Sequence, residues 1–164
     1  IYNLDHLKSA EAISTGEKIV GLKATEAKII IKDILKEKNL LTFLRKAISK
    51  DELRACKLEL LQFLLRFINA SGKQILNYIP EIKETCITVF NSDKYSDVRC
   101  STFPIINKLL EMTSGNSDVV NKMNLNKLVN DYFSSMVNQS KLSSSLKANI
   151  LTILGVICKF HPEF

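Results

Sequence analysis

The chain has 164 residues, 46% of them apolar, and 23 Lys and Arg against 17 Asp and Glu give it a formal net charge of +6. That apolar share is enough to bury a real core, either as one compact unit or as one run of stacked helices. No apolar block reaches the length of a membrane span and no basic leader precedes an apolar run, so neither a membrane partner nor a secretory route is expected.

The sequence opens on Ile1 and not on Met, which reads as a piece of something longer. Leu4, Leu7, Ala10 and Ile13 recur at helical spacing and predict a short amphipathic helix ending near Gly16, with a bend between Gly16 and Gly21. From Thr25 a stronger helical pattern carries Ile29, Ile30, Ile31, Ile34 and Leu35. Three consecutive isoleucines also suit a strand, although the flanking Ala, Lys and Glu favour helix. Leu41, Leu44 and Ile48 set the register of the next short helix, with Phe43 and Ala47 beside them.

The stretch from Ser49 to Gly72 is the centre of the pattern. Leu53, Cys56, Leu60, Leu64 and Phe67 form one apolar flank, Leu58, Leu61, Leu65 and Ile68 a second, and Glu59, Gln62, Arg66, Asn69 and Lys73 a narrow polar face. Such a helix is expected to be covered on both flanks. Ser49 with Glu52 predicts a capping box at its start, and Gly72 a stop or sharp bend. Ile75, Leu76 and Ile79 predict a single turn before Pro80, which suits the first turn of a helix carrying Ile82, Cys86 and Val89 or Phe90. Pro104 either kinks one helix across Ser96–Met112 or separates two. Asn124 can cap a helix whose apolar side holds Leu128, Tyr132 or Phe133, and Met136. Loops are expected near 91–96, 113–123 and the serine-rich 138–145, before a last apolar helix from Leu146 to Phe160 that His161-Pro162 ends.

The fold class that follows is all-α, a HEAT/armadillo-like α-solenoid of stacked antiparallel helices forming one region over 1–164, with a compact helical bundle as the alternative. Cys56, Cys86, Cys100 and Cys158 are too scattered for a disulfide framework and are expected to be free, buried thiols.

No catalytic constellation, metal set or cofactor loop stands out. There is no glycine-rich phosphate loop and no kinase signature, and the only histidines are His6 and His161. Cys158 and His161 have ligand-like spacing, but two ligands do not make a zinc site. Glu81 and Glu84 share a helix face near its start, where the helix dipole explains them more simply than acid–base catalysis.

The charge excess is N-terminal: residues 1–50 carry ten Lys and Arg against six Asp and Glu. Lys28, Lys32 and Lys36 form an i,i+4 ladder expected to face solvent, with Arg45, Lys46 and Lys50 close by in sequence. Like charges at that spacing repel in an isolated helix, whereas a phosphate backbone turns them into repeated contacts. Glu26, Asp33 and Glu37 interleave with the ladder and no aromatic residue stands within it, so on sequence physics alone an ordinary solvated face is the favoured reading.

From Leu41 to Cys56, LTFLRKAISKDELRAC, and on through LELLQFLLRFI and EIKETCITVF, the sequence resembles the extreme N-terminal helical-repeat region of the DNA-dependent protein kinase catalytic subunit family, giant kinases of the phosphatidylinositol-3-kinase-related group. Phe43, Arg45 and Lys46 match a Phe-x-Arg-Lys step of that family, with Arg54 and Cys56 following at the same distance. Ile82, Lys83, Thr85 and Cys86 match a Glu-Ile-Lys-x-Thr-Cys segment, and Leu154, Gly155, His161 and Pro162 a terminal Leu-Gly and His-Pro. The resemblance implies a non-catalytic, cofactor-free scaffold arm of a nuclear serine/threonine kinase. Its partners would be double-stranded DNA ends, the Ku heterodimer, and the remaining helical repeats and kinase domain of the same protein, in non-homologous end joining. It makes the basic first third the candidate for duplex contact, with Arg45 and Lys46 on matching positions; Lys28, Lys32, Lys36 and Lys50 are candidates for DNA-phosphate contact by charge and position in the sequence, with no family contact carried onto them. The rival is a protein-interaction solenoid of another large scaffold or a transport receptor.

Overall fold

The computed structural model describes residues 40–50, 53–116, 123–138 and 142–162, together with 29, 30, 32, 33, 118 and 121. The opening helix expected over Leu4–Ile13, the glycine bend after it, His6, Lys28 and Lys36 lie outside these residues. Ile29, Ile30, Lys32 and Asp33 are helical, which decides between helix and strand at those positions.

Seven α-helices are described: α1 (Leu40–Ser49), α2 (Arg54–Ser71), α3 (Ile79–Ser92), α4 (Ser96–Cys100), α5 (Phe103–Thr113), α6 (Leu125–Asn138) and α7 (Ser144–Phe160), with a 3₁₀ segment over Gly72–Tyr78. The described residues contain no strand, and the architecture is the all-α, helix-stacked one of HEAT/armadillo-like α-solenoids. The chain divides into two compact units, Ile1–Asn77 and Tyr78–Phe164.

In the first unit α1 packs on α2. Leu41, Leu44 and Ile48 are buried, one stripe at the i, i+3, i+7 spacing of a helix. α2 departs from its expected pattern in three ways. It starts at Arg54, with Leu53 in extended backbone as a cap that makes no side-chain hydrogen bond, while the backbone of Ser49 ends α1 and Glu52 of the expected capping box lies outside the described residues. Leu53 is 79% exposed, and Cys56 is exposed as well, so the first flank is not a core flank at its beginning. Burial follows a single stripe instead, Lys57, Leu61, Leu64, Ile68 and Ser71 with Phe67 beside it, whereas Leu58, Leu60 and Leu65 are half-buried. The Ser71 hydroxyl returns to the Phe67 carbonyl at 2.6 Å, which lets a polar residue end that stripe without an orphan donor. Gly72 stops the helix at φ +53°, in the left-handed region where a side chain is disfavoured.

The second unit is built around α5, which packs against both α3 and α7, while α7 also meets α4 and α6. Pro80 and Pro104 each lie in the first turn of their helices, where a missing amide proton goes unmissed, so Pro104 separates two helices and does not kink one. Three fully buried rings join α3, α5 and α6: Phe90 meets Phe103 and Tyr132 edge-on at 5.5 Å and 5.2 Å, and Phe103 stacks on Tyr132 at 5.6 Å. On α6 it is Tyr132 that joins Leu125 and Leu128 in the core, and Phe133 is 57% exposed. Asn124, at φ +48°, accepts from the Lys127 amide through its side chain and so caps α6; Ser143 caps α7 in the same way through the Leu146 amide.

Candidate nucleic-acid interface

The described cations of the basic segment gather on α1. With Leu41, Leu44 and Ile48 fixing its inner side, a helix of about 3.6 residues per turn carries Phe43, Lys46 and Lys50 on the opposite side. All three are exposed, Phe43 by 61%. Lys50 continues the last turn of α1 because its amide bonds the Lys46 carbonyl at 3.2 Å. Arg45 is exposed too, on the flank between that outer face and the core. α1 itself carries no acidic residue, and Lys46 in its last turn also suits the negative end of the helix dipole. Of the lysine ladder, Lys32 is helical and exposed. Lys28 and Lys36 lie outside the described residues.

Several titratable groups of the second unit make contacts between its elements. Lys83 is 5% exposed and its Nζ donates to the Met123 carbonyl at 2.9 Å, with Glu84 Oε1 at 3.5 Å. Glu84 also pairs with Lys127 at 3.3 Å. Burial alone would push the Glu84 carboxyl up, but the Lys127 hydrogen bond and the charges of Lys83 and Lys127 together hold it below its ordinary value. A carboxylate held ionised in this way is a poor general acid, and its ion pairs with Lys83 and Lys127 give Glu84 a packing role. His161 is 1% exposed and faces Thr113 and the Leu110 carbonyl, whereas Cys158 is exposed three residues earlier. Among the described residues no group of three or more His, Cys, Asp or Glu could hold a metal ion.

The thiols correct another expectation. Cys86 is fully buried and Cys100 half-buried, but Cys56 and Cys158 are exposed. Burial pushes the Cys86 thiol up from 9.0 to about 12.

Sequence reasoning missed the buried lysines, Lys57 and Lys83, because residue type alone assigns Lys to solvent. Their register carried the signal: Lys83 stands between Ile79, Ile82 and Cys86 at core spacing, and Lys57 precedes Leu61, Leu64 and Ile68 in the same way. A long aliphatic stem lets such a residue line a core while its ammonium reaches a carbonyl at the edge.

The three family-like motifs thus occupy different environments. Ile82, Lys83, Thr85 and Cys86 are all buried, and so is His161, but Leu154 is half-buried and Gly155 and Pro162 are exposed, as are Phe43, Arg45 and Lys46.

Comparison with known proteins gives a consistent result. The family model described as DNA-PKcs, N-terminal, matches residues 31–164, a span that includes every candidate cation except Lys28. The chain is 32% identical over 128 residues to the DNA-dependent protein kinase catalytic subunit of Canis lupus familiaris, covering 78% of this chain. It is 28% identical over 127 residues to that of Xenopus laevis, covering 77%, and 27% identical over 124 residues to that of Mus musculus, covering 76%. In each case the match spans 3% of the relative's length. No solved structure matches the chain.

Proposed function

The chain belongs to the DNA-PKcs N-terminal family, and from that premise we propose that it works as a non-catalytic scaffold arm of a DNA-dependent serine/threonine protein kinase, receiving DNA ends together with the Ku heterodimer in nuclear non-homologous end joining. The family match supports a helical-repeat scaffold role within that family. Kinase activity would belong to a separate domain of the same protein, and 1–164 would form one helical-repeat region of that longer chain.

The observation that carries the DNA reading is the exposure of Arg45 and Lys46, which stand at family-like positions and pack into no core. Cations arrayed along one helix contact phosphate oxygens and position the duplex without reading its sequence. Each phosphate neutralised releases counterions, so affinity falls steeply with salt.

The test is fluorescence anisotropy with a blunt duplex across a salt series, comparing the chain with the triple variant Arg45→Glu, Lys46→Glu, Lys50→Glu. The expected result is sequence-independent binding whose salt slope drops by about one for each phosphate that the variant no longer neutralises. Equal binding by both proteins removes these residues from the interface. Binding only to an acidic peptide supports instead the protein-interaction solenoid, which the exposed Phe43 ring also suits.

A further inference from the structure

We draw no further inference here: the strongest candidate, the exposed apolar row of Phe133 and Val137 along α6, is an unpartnered helix face, and nothing in the structure shows what covers it.

Discussion

The imidazole Nε2 of His161 lies 3.1 Å from the Thr113 hydroxyl and 3.3 Å from the Leu110 carbonyl, so the residue that ends α7 is held inside the last turn of α5. The same residue caps α7 through its backbone, its amide donating to the Ile157 carbonyl at 2.8 Å. One side chain therefore ties together two helix ends that are 48 residues apart.

Replacing His161 with Ala should destabilise the second unit by about 1–3 kcal/mol, because it opens a void and removes a polar partner from a buried hydroxyl. Urea denaturation followed by circular dichroism measures this. A change within experimental error would mean that the His161–Thr113 pairing contributes nothing net.

Lys83→Met keeps most of the aliphatic stem and removes the ammonium. The Met123 carbonyl then loses the Lys83 ammonium as a donor, and a loss of about 1–3 kcal/mol is expected for removing a buried hydrogen bond to a charged group. Lys127→Met, which breaks only a half-exposed pair with Glu84, should change stability by less than about 1 kcal/mol. The contrast between the two variants separates a buried hydrogen bond from a surface ion pair.

Tyr132→Phe should be neutral or stabilising by about 1 kcal/mol, since the Tyr132 hydroxyl is buried with no hydrogen-bond partner among the described residues and its removal relieves a desolvation penalty. A thermal melt of the two proteins decides it, and a clear loss of stability would show that the hydroxyl is satisfied in solution.

The cysteines should divide by accessibility. A thiol reagent under native conditions is expected to modify Cys56 and Cys158 first, Cys100 more slowly, and Cys86 only on unfolding. Burial raises the folded pKa of Cys86 from 9.0 to about 12, so this contribution to stability is intact below pH 9 and is lost as pH rises from there through 12. The slope approaches about 1.4 kcal/mol per pH unit in that window for this group alone. Cys86→Val, which cannot ionise, should show a shallower alkaline decline in its urea midpoint than the unaltered chain.

Helix positions were legible in the sequence wherever punctuation was strong. Pro80, Gly72 and Asn124 act as local chemistry dictates, whereas Pro104 left a kink and a boundary equally open and Ser143, read as part of a loop, caps α7. The inside and outside of α2 were less legible. It carries apolar letters on more than one side, and packing rather than residue type selects the Leu61, Leu64 and Ile68 stripe as the buried one. Residue type misled for Lys57 and Lys83, where register outweighed charge, and left Tyr132 and Phe133 undivided until the packing chose between adjacent positions. For the candidate interface, composition pointed to a basic first third and the family-like step pointed to Arg45 and Lys46. That Phe43 shares the outer face was hidden, because an aromatic residue in a short amphipathic helix normally reads as core.

The ring cluster of Phe90, Phe103 and Tyr132 has an optical consequence. The chain has four tyrosines and no tryptophan, so no indole signal masks the phenol bands. Tyr132 is clamped at fixed angles against two phenyl rings, while Tyr78 and Tyr95 are only half-buried. Near-ultraviolet dichroism of the second unit should therefore report largely on this one chromophore. It should fade in any state that keeps its helices but loses their interlocking, which far-ultraviolet light would still register as folded.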